Sequence, residues 1–268
     1  MIEGPRGTRR EERQSLRKCV GAVFRPALMD EYPQLFHDDN LENCRVILDD
    51  GEIVSHVGLT QQWASIFGCT VGVGCIGGVG TYKEHRGKGY ATRLFDDASA
   101  KCYSEGFDFM IVSGDRSLYR RAGCRKVGHD YDATITASHT QRLDTGVSIV
   151  ACTKADIPTL SAIYRTEPVR FLRSPRIYEH AFQCNRFSGF WLVKKGDSVR
   201  GYVIVSQGRE MVRLAEYAGE RSSILGAAAQ LTKQYDCQNV GLHILGVDRL
   251  AQNILSEAGV ELQPGHAS

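Results

Sequence analysis

Val79-Gly80-Thr81-Tyr82-Lys83-Glu84-His85-Arg86-Gly87-Lys88-Gly89-Tyr90-Ala91-Thr92 decides the reading of this chain. A run without charged residues, Cys69–Tyr82, rich in Gly, Val and Ile, ends here as a strand, and a helix begins. The helix is legible from Ala91, Leu94, Phe95, Ala98 and Cys102, which form one apolar stripe at helical spacing, with Gly106 as the expected C-cap. A helix start leaves amides without acceptors, and its dipole favours an anion by about 0.3–1 kcal/mol. Gly87 and Gly89 let the backbone approach a ligand closely, and Arg86 and Lys88 add positive charge. Together they suit a pyrophosphate cradle built on main-chain donors. An ordinary surface turn is the competing reading of Arg86–Gly89.

Two other phosphate motifs fit less well. Gly72-Val73-Gly74-Cys75-Ile76-Gly77 matches G-x-G-x-x-G but lies inside the strand instead of opening a helix. The P-loop pattern fails because Tyr82 stands where its first glycine belongs.

Working outward, Arg45–Leu48 and Ile53–Leu59 flank Asp49-Asp50-Gly51-Glu52, a strong hairpin signal. Arg9–Phe24 reads as an amphipathic helix with a solvated basic face, and a second helix is expected among residues 29–43. Downstream, Phe107–Val112 reads as a buried strand, Ser117–Ala122 as a short helix ended by Gly123, and Cys124–Val127 as a strand. Residues 133–155 shift in composition, and the boundary is placed there: one domain over 1–147, a second over 148–268. The second half repeats the element order faintly. It has a helix at Asp156–Thr166, a hairpin across Gly196-Asp197, a strand at Met211–Tyr217, a helix at Ser222–Tyr235, a strand at Val240–Leu245 and a helix at Arg249–Ala258. The expected class is mixed α/β.

Composition narrows the function. The chain has 268 residues, 42% hydrophobic and 24% charged, with a net charge of +2. That excludes a disordered or fibrous chain and provides no global field for nucleic acid or acidic membranes. The positive excess is local to residues 1–18. No apolar run reaches the ~18–20 residues of a membrane span, and the Arg-rich start does not read as a signal peptide. Nine cysteines, odd in number and without a C-x-x-C pair, read as free thiols of a reducing cytoplasm and not as a metal site.

Arg86-x-x-Gly89-x-Ala91 resembles the [Q/R]-x-x-G-x-[G/A] signature of the GCN5-related N-acetyltransferase (GNAT) superfamily. Ser117-Leu118-Tyr119-Arg120-Arg121-Ala122-Gly123-Cys124, about 30 residues on, is similar to its Tyr-x-x-x-Gly-Phe segment, with Cys124 in place of the aromatic. The resemblance covers residues 45–128. The whole chain looks more narrowly like the Eis type of acetyltransferase, through Glu52–His56, the glycine-rich strand before Val79, Gly201-Tyr202 and Glu216. Proteins of that type have two tandem GNAT domains followed by a sterol-carrier-like domain, for which 268 residues are expected to leave no room.

The resemblance implies a GNAT fold with a degenerate second domain, and acetyl-CoA as cosubstrate without a metal. The end of the strand, Val79, Gly80 and Thr81, would pair with the pantetheine amides. The pyrophosphate would rest on Gly87, Lys88, Gly89, Tyr90, Ala91 and Thr92, beside Arg86. Tyr119 would act as general acid on the departing thiolate, a role suited to a phenol of ordinary pKa near 10; its structural alternative is a buried aromatic of the short helix. Asp115 either caps that helix or contacts the cosubstrate.

The base stays open. Cys69–Thr81 holds no carboxylate, Glu84 and His85 read as solvent-facing, and His56 reads as a satisfied core histidine. In the Eis type the terminal carboxylate is implicated, and its equivalent here is absent or displaced. In the second half, Gly219-Glu220-Arg221-Ser222-Ser223 lacks the paired glycines and carries an acidic residue that would repel phosphate. The second domain is therefore expected to bind no CoA and to cover the substrate cleft.

The expected activity is acetyl transfer to a primary amine, a small molecule or a peptide, by direct attack in a ternary complex. Neither nucleic acid nor a membrane is an expected partner, and a homo-oligomer is compatible with the sequence. The alternatives are a non-catalytic acetyl-CoA-binding regulatory module and a GNAT-fold acyltransferase acting on a non-amine acceptor.

Overall fold

In a computed structural model, residues 1–143, 145–208 and 210–265 are described. The described chain forms two compact units, one of Met1–Arg125 with Pro168–Leu172, the other of Lys126–Glu167 with residues 173–265.

The first unit contains β1 (Ile2–Gly7), α1 (Arg13–Val23), α2 (Leu28–Glu31), α3 (Pro33–Phe36), β2 (Cys44–Asp49), β3 (Glu52–Ile66), β4 (Cys69–Thr81), α4 (Tyr90–Ser104), β5 (Phe109–Val112) and α5 (Ser117–Arg121). The β2–β3 hairpin turns through Asp50 and Gly51, both at positive φ (48° and 81°), the conformation an Asp-Gly pair provides. The region expected to hold one helix after α1 holds two short ones, because Pro33 can begin a helix but cannot continue one.

Strands run β1-β2-β3-β4-β5, antiparallel except for the parallel β4–β5 pair that α4 connects. The apolar stripe of α4 packs with Leu118, Tyr119 and Val79 on one face of the sheet. Leu16, Cys19 and Val20 of α1 pack with Leu35 and Phe36 on the other. The expected Phe107–Val112 strand begins at Phe109, and Phe109 and Ile111 are exposed, since β5 is an edge strand. Cys124–Val127 forms no strand.

The second unit contains β6 (Asp130–Thr136), α6 (Ala137–Leu143), β7 (Ser148–Ala151), α7 (Ile157–Tyr164), α8 (Pro175–Gln183), β9 (Gly189–Lys195), β10 (Ser198–Gln207), β11 (Met211–Gly219), α9 (Arg221–Gly226), α10 (Ala228–Gln234), β12 (Asn239–Leu245), α11 (Arg249–Glu257) and one further strand, Leu262–Pro264. From that last strand inward, the order is Leu262–Pro264, then β6-β12-β11-β10-β9-β7. Residues 130–136, which the sequence reading left with the first domain, thus form an inner strand of the second sheet, paired antiparallel with β12. Conversely, β8 (Val169–Phe171) pairs with the far end of β3 in the first.

The two sheets share one motif, an antiparallel hairpin followed by a helical crossover to a parallel strand. In both, the strand before the crossover carries one extra residue close to where its parallel pairing stops. On β4 the span Gly77–Gly80 faces His56–Gly58, and on β11 the span Leu214–Glu216 faces Ile204–Val205. Such a β-bulge bends a strand away from its neighbour. The repeat that the sequence shows only faintly is therefore a repeat of geometry.

Candidate active site

β4 and β5 pair in register from Val73/Phe109 to Ile76/Val112 and no further. Gly78, at φ +59°, lies in the bulge just beyond. From there to Thr81 the strand keeps its pairing with β3 but leaves its other edge open. Val79 points its side chain into the α4 core. Gly78 and Gly80 leave the opposite face to neighbouring side chains. A Cβ on Gly80 would lie 2.8 Å from Val23 Cγ1 and 2.9 Å from His56 Cε1.

The open edge is capped by two arginines. Arg116 Nη1 donates to the Val79 carbonyl (3.2 Å), and Arg86 Nε to the Thr81 carbonyl (3.2 Å). On the paired side, Ser55 Oγ donates to the Gly80 carbonyl and lies 2.8 Å from Thr81 Oγ1.

Beyond a short helical turn at Lys83–His85, Gly87 and Gly89 take φ +78° and +76°. A Cβ at either would meet nothing within 4 Å. Gly89 is the N-cap of α4, no side chain caps the helix, and the first acceptor in register is the Gly89 carbonyl, used by Arg93. The amides of Tyr90, Ala91 and Thr92 thus have no intrahelical acceptor. Lys88 Nζ lies 3.5 Å from His85 Nδ1, whose ring stacks on the buried Tyr90. An uncapped helix start, two left-handed glycines and an open strand edge suit an extended ligand with a diphosphate and amides.

Tyr119 is buried, its ring 5.7 Å from that of Phe95. Its hydroxyl has no hydrogen-bond partner among the described residues. Burial pushes the phenol pKa up, and the charge on Arg116 works against that shift. The structure thus gives Tyr119 both of its sequence readings: the ring packs in the core, and the hydroxyl is left to donate. Asp115 is exposed, 3.9 Å from Arg120 Nη1, and the N-cap of α5 is the next residue, Arg116.

His56 differs from expectation. It is fully buried, but it is not satisfied. Nδ1 lies 3.9 Å from Cys19 Sγ, and Nε2 has no partner. Burial pushes its pKa down to about 4 and that of the Cys19 thiol up to about 12, so both are neutral at physiological pH. At pH above ~6.5, the unfolded value, this imidazole costs the fold no ionisation. As pH falls toward 4, the unfolded chain takes up a proton that the folded chain refuses, and stability declines by on the order of 3 kcal/mol. Denaturation midpoints at pH 7 and pH 4.5 should therefore fall more for the wild type than for His56→Gln. Equal slopes would remove this account of the ring.

In the second unit, side chains bond to one another and to the backbone around β11 and the start of α9. Glu167 Oε1 accepts from the Gly219 amide (2.8 Å) ahead of α9, and the carboxylate pairs with Arg221, which also holds Asp248 (2.6 Å). Tyr217 donates its hydroxyl to the His243 carbonyl of β12 (3.0 Å). Glu216, at the β11 bulge, accepts from Tyr202 (2.7 Å) and Arg173 (2.6 Å). Sequence reasoning missed Arg116 and Glu167, because neither stands inside a motif.

Residues 5–127, just under half of the chain, match the model of the acetyltransferase (GNAT) domain family. No curated protein matches the sequence. Among solved structures, a protein of Enterococcus faecalis V583 described as a probable N-acyltransferase is 15% identical, covers 98% of this chain and 70% of its own, and has a TM-score of 0.77. A GCN5-related N-acetyltransferase of Anabaena variabilis is 16% identical over the same shares, with a TM-score of 0.76. Eis1 of Mycobacterium abscessus is 15% identical, again covering 98% and 70%, with a TM-score of 0.67. These likenesses establish a GNAT-like fold over nearly the whole chain. No helix among the described residues is long and apolar enough to cross a membrane, and no group of them forms a metal site.

Proposed function

We propose that the chain is an acyl-CoA-dependent N-acetyltransferase that moves acetyl from acetyl-CoA to a primary amine by direct attack. The observation that carries this is the uncapped start of α4 beside the open edge of β4. Gly87 to Thr92 would hold the pyrophosphate, with Arg86 and Lys88 as countercharges, and Val79 and Thr81 would offer the strand edge to the pantetheine amides. Tyr119 would donate to the sulfur. Gly78 and Gly80 put no carboxylate on the α1 face of the strand, so a base would come from water or from the acceptor's surroundings. A small-molecule or peptide amine suits a chain of net charge +2, without nucleic acid or membrane as partner.

The Glu167 carboxylate, held by the Gly219 amide and Arg221 just ahead of α9, supports a single cosubstrate site per chain, because its negative charge there would repel a phosphate. The nine free thiols support a reducing, cytoplasmic setting.

Calorimetry with acetyl-CoA should give one equivalent per chain, and thiol release should follow with members of a polyamine and aminoglycoside panel. Two equivalents would overturn the single site. Binding without turnover on any amine would make the chain a regulatory acetyl-CoA module, and acetyl recovered on a hydroxyl would make the acceptor a non-amine.

A further inference from the structure

We infer that Arg116 is the positioning residue that makes Tyr119 a competent acid: its guanidinium, fixed on the Val79 carbonyl at the mouth of the β4–β5 opening, stabilises the negative charge that passes from the departing sulfur to the phenol oxygen. This rests on the transferase reading above and assigns a role in it to a residue outside both family signatures.

Two hydrogen bonds place the group. Arg116 is the N-cap of α5, and its carbonyl accepts from the Tyr119 amide (3.0 Å), so the two residues are tied together across one turn. Its Nη1 donates to Val79 at 3.2 Å, on the open edge of β4. Tyr119, on α5, packs in the same apolar cluster as Val79, with an unpartnered hydroxyl and with Cε2 4.0 Å from where a Cβ on Gly114 would sit. A carbonyl oxygen has two lone pairs, so Val79 can hold the guanidinium and still accept from a ligand amide.

Chemistry explains why a cation is needed there. The amine nitrogen forms its bond to the thioester carbon, the C–S bond breaks, and its electron pair goes to sulfur. Tyr119 gives its proton to that sulfur and becomes a phenolate. The proton shed by the amine nitrogen returns through solvent to the phenolate. A thiol of ordinary pKa near 8.5 is a stronger acid than a phenol near 10, so this transfer runs uphill. Burial steepens it by raising the phenol further, and Arg116 opposes that rise. Arg116 is exposed. A pantetheine arm laid in the opening would exclude water and strengthen the effect of the cation.

The test combines Arg116→Gln, Arg116→Lys and Tyr119→Phe in a double-mutant cycle, together with titration of the Tyr119 phenol by NMR of ring-labelled protein. Arg116→Gln should raise the phenol midpoint by about one unit and lower kcat about tenfold, while Arg116→Lys should recover most of both. In the Tyr119→Phe background, Arg116→Gln should cost nothing further. An unmoved phenol midpoint, or losses that simply add, would overturn the inference. Failure of the transferase reading shows separately, as wild-type protein that turns over no amine, since the phenol titration needs no acceptor.

Discussion

Gly89→Glu should abolish acetyl-CoA binding while leaving the chain folded. Gly89 holds φ +76° at the N-cap of α4, and a Cβ there would project into open space. The left-handed backbone costs a non-glycine residue about 1–2 kcal/mol. A carboxylate at a helix start recovers part of that through the dipole, so a fall of a few degrees in Tm is expected and not unfolding. Binding is affected far more. A negative charge held ~4 Å from a diphosphate near the protein surface is worth about 4 kcal/mol of repulsion, a loss on the order of a thousandfold in affinity. Gly89→Asn is the matched control, since asparagine tolerates the left-handed region and brings no charge. Titration calorimetry should show it close to wild type. Adding Arg86→Ala to Gly89→Glu should remove whatever binding is left. Undiminished affinity in the doubly substituted protein would take the cosubstrate away from this helix start and leave the chain with a GNAT fold alone.

The features that make this prediction possible were readable in the sequence because they are local. Ala91, Leu94, Phe95, Ala98 and Cys102 mark the α4 face by their spacing alone, and Asp50-Gly51 marks the hairpin because few other pairs accept its turn. What the sequence concealed depends on distant partners. β6 finds β12 more than 100 residues later, and nothing near Asp130–Thr136 announces that pairing. Val169–Phe171 is three residues long, and only its partners on β3 make it a strand. β1 was hidden by Gly4-Pro5 and the charged residues beside it, Glu3 and Arg6, which read as turn or surface until β2 accepts them as an edge. In the site, the glycines and Tyr119 were legible through their motifs. Arg116 and the unpartnered Nε2 of His56 were not, since a composition rule cannot say that a side chain will meet the Val79 carbonyl or that a buried imidazole will lack a partner. The functional repeat was obscured for the same reason. Glu167 lies about 50 residues before the amide it occupies.

Tyr119→Phe should lower kcat by on the order of 10²–10⁴ and leave the KM for acetyl-CoA nearly unchanged. The ring packs against Phe95 and the α4 stripe, and phenylalanine keeps those contacts. The lost hydroxyl has no partner among the described residues, so no protein group is left unsatisfied and Tm should shift little. The pH dependence carries the sign. As the proposed acid, Tyr119 would act protonated, and burial holds its pKa above the ordinary phenol value, so kcat should stay level through neutral pH and fall only as pH rises past about 10. That alkaline limb should vanish in Tyr119→Phe, and thiol release measured from pH 6 to 10.5 would show it. A variant that keeps the limb assigns it to another group, and one that keeps wild-type kcat leaves the thiolate to depart unprotonated, with the buried phenol reduced to a packing residue. The size of the loss thus separates the two readings of Tyr119 that its position in the core allows.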